Sequence, residues 1–182
     1  MTLQNPTKKA LFLDRDGIVN IDYGYVYKIE DFTFVEGIFE LVSLFQNAGY
    51  LIFIVTNQSG IGRGYYTEND FQTLSTWVKK QFVAHHIEIH EIYHCPHTPE
   101  AKCHCRKPQT GMIEACLKHY NIDLEHSYMI GDKPSDMAFA KQASIGNRIA
   151  IASLPLTDAD YTFASILQCK YFFEENQGKI TL

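Results

Sequence analysis

Several features that would assign a chain of 182 residues to a special class are missing. No apolar run is long enough to cross a membrane, and the first nine residues lack the apolar stretch of a secretion signal. Acidic residues outnumber basic ones, 21 to 16, which disfavours a nucleic-acid backbone as a partner. We therefore expect a cytoplasmic protein that binds neither membrane nor nucleic acid.

Cysteine is also scarce, at five residues, yet three of the five lie close together beside a histidine. The segments Cys-Pro-His at 95–97 and Cys-His-Cys at 103–105 favour a metal site over disulfides. Four protein ligands leave no position for water, so the predicted metal is structural, tetrahedral zinc. The predicted ligands are Cys95, His97, Cys103 and Cys105, and His104 is predicted to be a bystander.

Apolar runs alternate with segments of helical spacing along most of the chain. Strands are predicted at residues 10–13, 51–55, 87–93, 128–130 and 149–152, and helices at 38–48, 68–86, 111–120 and 134–143. A short strand at 161–163 and a helix ending near 172 are predicted in the tail. This alternation predicts an α/β fold, with a parallel sheet covered on both faces, in one domain over residues 1–182. Two long loops, 17–36 and about 95–108, interrupt the alternation and are candidates for function.

Polar residues follow the apolar runs, where ligands bind to parallel sheets. Asp14 and Asp16 follow the first run, residues 56–59 the second, Arg106 and Lys107 come after the third, and residues 131–136 follow the fourth. Carboxylates from distant parts of the chain are suited to Mg²⁺, which prefers oxygen ligands.

These groups are those that phosphoryl transfer requires. One Asp would attack phosphorus, and a second Asp two residues later would protonate the leaving oxygen and then activate water. Thr56 would donate a hydrogen bond to the phosphoryl group, and Lys107 would balance its charge. The sequence therefore predicts a phosphatase.

The order Asp14-x-Asp16, Thr56, Lys107 and Gly-Asp-x-x-x-Asp at 131–136 resembles the haloacid dehalogenase superfamily over residues 10–152. The resemblance implies a Rossmann-like fold and an aspartyl-phosphate intermediate on Asp14. It also implies that Asp16 is the general acid/base and that Mg²⁺ is held by Asp14, the backbone carbonyl of Asp16 and Asp132.

The zinc-loop pattern is similar to that of a group within this superfamily. The group contains histidinol phosphatases and D-glycero-D-manno-heptose 1,7-bisphosphate phosphatases. Segments 22–26 and 56–64 resemble the heptose enzymes, which implies removal of the 7-phosphate for lipopolysaccharide synthesis. The short loop between His97 and Cys103 is also similar to histidinol phosphatases, so loop length leaves that alternative open. A third alternative is a zinc-bearing binding module on an inactive fold, which the intact catalytic residues disfavour.

The resemblance also implies which residues surround a phosphorylated sugar. They are Asp22, Tyr23, Gly24, Tyr25, Thr56, Asn57, Gln58, Ser59, Arg106, Lys107 and Lys133, and Arg106 is included with the catalytic group. Asp136 is expected to orient Lys107 or a metal-bound water, while Arg63 is left open between a second phosphate and the surface. No insertion is long enough for a large cap domain, and we expect a monomer.

Overall fold

The computed structural model describes residues 7–176, so both ends of the predicted domain 1–182 lie outside the described residues. Six strands form one parallel sheet in the order β3-β2-β1-β4-β5-β6. The strands are β1 (Ala10–Leu13), β2 (Leu51–Asn57), β3 (Glu91–Cys95), β4 (Tyr128–Gly131), β5 (Asn147–Ile151) and β6 (Tyr161–Phe163). The α/β prediction is confirmed.

Six α-helices lie among the described residues. They are α1 (Ile38–Asn47), α2 (Ser59–Gly62), α3 (Glu68–Ala84), α4 (Gly111–Leu117), α5 (Pro134–Gln142) and α6 (Ile166–Glu175), with single 3-10 turns at Ile29–Asp31 and Pro99–Ala101. Helix α3 begins at a capping box between Thr67 and Asp70. Pro134 opens α5, where its missing N–H has no helical partner to lose.

Two apolar layers cover the two faces of the sheet. On one face Leu11 and Leu13 pack with α1, α3 and α6. On the other face Ala10 and Phe12 pack with α4 and α5. Because successive side chains of a strand point to opposite faces, β1 contributes to both layers and is buried along its whole length. This central position fixes the residues that follow β1 in space.

The third strand begins later than the predicted 87–93. Ile87 and Ile89 are buried, as their apolar character indicates, but they lie before the strand. The backbone N–H of His90 donates to the Ile52 carbonyl, while its ring Nδ1 accepts from the Ile52 N–H at 3.2 Å. The imidazole therefore takes the place of a strand carbonyl, and regular pairing begins at Glu91 opposite Phe53.

The loops at the carboxyl edge of the sheet have little regular structure. Residues 17–36 contain one 3-10 turn and the isolated bridges of Asn20, and within residues 7–176 no insertion forms a separate cap domain. No helix among these residues is both long and apolar enough to span a membrane.

Candidate active site

The topological switch point of the sheet lies between β1 and β4, because the chain adds β2 and β3 on one side of β1 and β4 to β6 on the other. In such folds ligands bind at the carboxyl ends of the strands at this point. Asp14 follows β1 and Asp132 follows β4 directly. The carboxylates of Asp14, Asp132 and Asp136 offer oxygen atoms that all lie within 4.8 Å of one another. The sheet topology thus brings together residues that are far apart in sequence.

Lys107 lies between two of these carboxylates. Its Nζ is 2.8 Å from Asp14 Oδ1 and 2.7 Å from Asp136 Oδ1, and it donates to the Val55 carbonyl at 2.8 Å. All three charged side chains are buried, with Lys107 only 4% exposed. The two carboxylates raise the pKa of Lys107 although burial opposes its charge, so the cation is retained. The predicted link between Asp136 and Lys107 is present in the geometry.

Burial raises the pKa of Asp14 to about 7, an effect that Lys107 partly offsets and Asp136 reinforces. Burial also raises the pKa of Asp132, whose Oδ1 is buried without a hydrogen-bond donor. Lys107 and Lys133, whose Nζ lies 3.7 Å from Asp132 Oδ1, neutralise only part of the charge of the three crowded carboxylates, so the centre needs further positive charge. A hard divalent cation with oxygen ligands supplies it, so the donor set fits Mg²⁺.

Gly17 allows the backbone to approach this group. A Cβ at position 17 would lie 2.4 Å from Asp132 Oδ2, and the glycine adopts φ 94°. Only glycine accepts both the close contact and the left-handed backbone without strain. The Asp16-Gly17 peptide can therefore lie beside the Asp132 carboxylate.

Asp16 is held by donors on both of its oxygens. Oδ1 accepts from the Arg15 guanidinium at 2.9 Å and from Asn20 Nδ2 at 3.1 Å, and Oδ2 accepts from Gln58 Nε2 at 2.9 Å. Burial disfavours its charge, but Arg15 and these hydrogen bonds prevail and lower the pKa of Asp16. Asp14 and Asp16 therefore have pKa values shifted in opposite directions, that of Asp14 upward and that of Asp16 downward.

A cavity of about 310 Å³ opens beside this centre. Of the residues predicted to surround a substrate, it is lined by Asp22, Gly24, Tyr25, Asn57, Gln58, Ser59, Arg106 and Lys133. Tyr23 is 62% exposed and lines a neighbouring depression with Glu30, Asp31 and Thr33 instead. Thr56 and Lys107 are buried and are not among the residues that line the cavity.

Two of the lining amides are occupied by internal contacts. Asn57 accepts from the Lys107 N–H at 3.0 Å and donates to the Lys107 carbonyl at 3.2 Å, so it fixes the backbone that carries Lys107. Gln58 is only 2% exposed and bonds to Asp16, Thr56 and Tyr66. Tyr66, absent from the predicted set, also lines the cavity. Its single sequence signal is the aromatic pair at 65–66 beyond the glycine-rich segment.

The four predicted zinc ligands converge at the end of β3. Cys105 Sγ lies 3.0 Å from Cys95 Sγ and 3.6 Å from Cys103 Sγ, and His97 Nδ1 lies 3.3 Å from Cys105 Sγ. Tetrahedral zinc with thiolate ligands separates sulfur atoms by about 3.8 Å, slightly more than here. All five cysteines are free thiols, so three thiols and an imidazole fit a zinc ion. His104 instead contacts Glu114 at 2.8 Å.

The fold and the buried Asp-Lys-Asp centre define a class of phosphoryl-transfer hydrolase, and comparisons with known proteins agree. Residues 104–146 match the family model described as HAD-hydrolase-like. The chain is 52% identical to a D-glycero-alpha-D-manno-heptose-1,7-bisphosphate 7-phosphatase of Campylobacter jejuni, covering 79% of this chain and 82% of that protein. It is 47% identical to a D-glycero-beta-D-manno-heptose-1,7-bisphosphate 7-phosphatase of Helicobacter pylori, covering 92% and 95%.

A solved structure has the same fold. The D,D-heptose 1,7-bisphosphate phosphatase of B. bronchiseptica, complexed with magnesium and phosphate, superposes with a TM-score of 0.79 at 22% identity, covering 92% of this chain and 99% of that one. The chain belongs to the HAD-like hydrolases, in the family of the heptose-1,7-bisphosphate 7-phosphatases.

Proposed function

We propose that this protein is a Mg²⁺-dependent phosphatase that removes the 7-phosphate of D-glycero-D-manno-heptose 1,7-bisphosphate through an aspartyl-phosphate on Asp14. The observation that carries the proposal is the buried Asp14 carboxylate, held 2.8 Å from the Lys107 ammonium at the switch point of the sheet. The relatives named for this reaction support the substrate. They act on different anomers, so either anomer remains a candidate.

Asp14 begins the reaction. Its Oδ1 accepts from the Arg15 N–H and contacts Lys107, which favours Oδ2 as the attacking oxygen. As the bond to phosphorus forms and the bond to the sugar oxygen breaks, Asp16 donates a proton to that oxygen; Asp16 must hold this proton in the substrate complex, although Arg15 favours its ionised form. Asp16 then takes a proton from water, which attacks phosphorus and releases phosphate from Asp14.

The remaining groups stabilise charge on the phosphoryl oxygens. Thr56 donates a hydrogen bond, and Lys107 and Arg106 supply positive charge. Asp14, Asp132 and the Asp16 carbonyl would hold Mg²⁺, which neutralises the carboxylates and polarises the phosphoryl group. Lys133 and Asp22, whose charged ends are 3.4 Å apart, border the cavity where the sugar would bind.

The zinc loop supports the position of the cations. Arg106 donates to the His97 carbonyl at 3.3 Å, so a hydrogen bond links this cation to the backbone of a predicted zinc ligand. We propose that zinc bound by Cys95, His97, Cys103 and Cys105 orders residues 95–108 and with them Arg106 and Lys107. We also propose that residues 1–182 form one domain that acts as a monomer in the cytoplasm.

A substrate comparison tests this proposal. With Mg²⁺ present, kcat/KM for the heptose bisphosphate should exceed that for histidinol phosphate by at least a hundredfold, about 3 kcal/mol of discrimination. A preference for histidinol phosphate would refute the substrate but retain the chemistry. A protein inert toward all phosphate esters would refute the phosphatase and favour the binding module.

A further inference from the structure

Tyr66 and Gln58 form a hydrogen-bonded chain that ends on two residues of the proposed reaction. The Tyr66 hydroxyl donates to Gln58 Oε1 at 2.6 Å. Gln58 Nε2 donates to Asp16 Oδ2 at 2.9 Å and to Thr56 Oγ1 at 2.8 Å. Gln58 and Tyr66 are both buried. One amide therefore connects Asp16, the proposed general acid/base, with Thr56, the proposed hydrogen-bond donor to the phosphoryl group.

The direction of this amide is determined by its neighbours. Rotating the side chain by half a turn would bring Oε1 against the Asp16 carboxylate, where two acceptors repel, and the phenol would lose its acceptor. Tyr66 donates reliably because burial raises its pKa to about 12. The hydroxyl thus holds the amide with both donors directed at Asp16 and Thr56.

The amide also determines what Thr56 does. Because Gln58 donates to Thr56 Oγ1, the threonine oxygen is used as an acceptor there, and its own proton is free to point elsewhere. A hydroxyl held in this way is a donor toward the phosphoryl group. Asp16 is fixed at the same time, since Gln58 occupies the oxygen that Arg15 and Asn20 do not.

The position of the Tyr66 ring is fixed by packing against Tyr27 and Gly60. Its ring stacks on Tyr27 with centroids 5.1 Å apart and planes 9° apart. A Cβ at position 60 would lie 2.1 Å from the Tyr66 ring, so Gly60 provides the space that lets the ring reach Gln58. Neither contact requires the hydroxyl. The ring is thus held by packing, while the hydroxyl serves the amide.

We propose that Tyr66 is a positioning residue that acts through Gln58 to align Asp16 and Thr56 for phosphoryl transfer. The inference rests on the proposed phosphatase function. In this proposal Gln58 orients the reacting groups. The family resemblance instead implies that Gln58 contacts the sugar.

The test is Tyr66→Phe, which keeps the ring and its stacking, with Tyr171→Phe as a matched control on the exposed face of α6. Phenyl phosphate and 4-nitrophenyl phosphate serve as substrates because they have similar shape, while phenol, the poorer leaving group, needs general acid catalysis more. Comparing the two cancels any loss of correctly folded enzyme, since that would lower both activities equally.

We expect Tyr66→Phe to lower kcat/KM about tenfold for phenyl phosphate and no more than about threefold for 4-nitrophenyl phosphate. Both losses are smaller than the full contribution of general acid catalysis, because Asp16 itself is retained. Tyr171→Phe should change neither. Adding Tyr66→Phe to Gln58→Ala should have no further effect, because residues acting in one chain are not additive.

Equal losses on both substrates, or additive effects in the double variant, would overturn the inference and leave the phosphatase proposal intact. A wild-type enzyme inert toward both aryl phosphates and the heptose bisphosphate would instead refute the proposed function, and this inference with it. The two failures are therefore distinguishable.

Discussion

The carboxylate centre and the zinc loop occupy the same edge of the sheet, yet different forces hold them together. Asp14, Asp136 and Lys107 are buried, and they are fixed by β1, α5 and three contacts of one ammonium group. The ligands of the zinc loop are more exposed; Cys95 is fully buried, and His97, Cys103 and Cys105 are not. Packing assembles the first site, whereas we expect the second to depend on a bound metal.

We therefore expect changes at the two sites to differ in their effects on activity and on stability. Loss of a group in the carboxylate centre should abolish activity, with an effect on folding that depends on which charge remains unpaired. Loss of zinc should loosen a segment and reduce activity indirectly, through Arg106 and Lys107. The following predictions are ordered from the largest expected effect to the smallest.

Asp14→Asn should lower kcat by at least about a thousandfold, because an amide cannot form the phospho-enzyme. Lys107 keeps the Asp136 carboxylate and the Val55 carbonyl, so the fold should remain. Steady-state kinetics and thermal unfolding measure the two effects. Activity near wild type would show that another group is the nucleophile.

Lys107→Met should destabilise the protein by about 3–5 kcal/mol, since it leaves buried carboxylates without their cation. Arg106→Met is the matched control, because the neighbouring cation is only partly buried and should cost about 1 kcal/mol or less. Urea unfolding of both variants provides the comparison. Equal losses of stability would contradict the distinction between a packed centre and a loop.

Gly17→Ala should lower both stability and Mg²⁺ affinity. The added Cβ meets Asp132, and the positive φ is strained for alanine, which costs about 1–3 kcal/mol. Gly24→Ala is an informative control: its φ is also positive, at 79°, but nothing lies within 4 Å of the added Cβ. If Mg²⁺ binding, measured by calorimetry, falls equally in both, the close approach to Asp132 is not what matters.

Removing zinc should lower the melting temperature by roughly 5–10 °C, as expected for a loss of a few kcal/mol in a chain of this size. Activity should fall with it and return when Zn²⁺ is restored. Cys105→Ser should show the lower melting temperature before chelation. Purified protein without stoichiometric zinc, or unchanged unfolding after chelation, would contradict the structural site.

His104→Ala should have the smallest effect. Its ring pairs with Glu114 on the surface instead of pointing at the thiols. Zinc content measured by mass spectrometry should stay at one ion per chain, whereas His97→Ala should reduce it. A matching loss in both variants would make His104 a ligand.

Much of the site could be predicted because its residues follow buried strands. Asp14 and Asp132 come directly after runs whose apolar character predicts their burial, and parallel strands bring their carboxyl ends to one edge. The clustering of Cys95, His97, Cys103 and Cys105 was predictable for a different reason: their residue types and close spacing suffice without knowledge of the fold.

The role of Gln58 and Tyr66 could not be predicted in this way. It depends on how side chains at positions 16, 58 and 66 meet after Gly60 makes room for an aromatic ring. The start of β3 was predicted wrongly for a similar reason, because the ring of His90 replaces a backbone acceptor. Pattern predicts which residues are buried, while such side-chain substitutions depend on three-dimensional packing.

The most direct test of the central claim is to trap the phospho-enzyme. The protein is mixed with heptose bisphosphate and Mg²⁺, quenched in acid within one turnover, digested and analysed by mass spectrometry. We expect one phosphoryl group on the peptide that contains Asp14, and none in Asp14→Asn. Release of phosphate together with a phosphoryl group on a different residue would contradict Asp14 as the nucleophile.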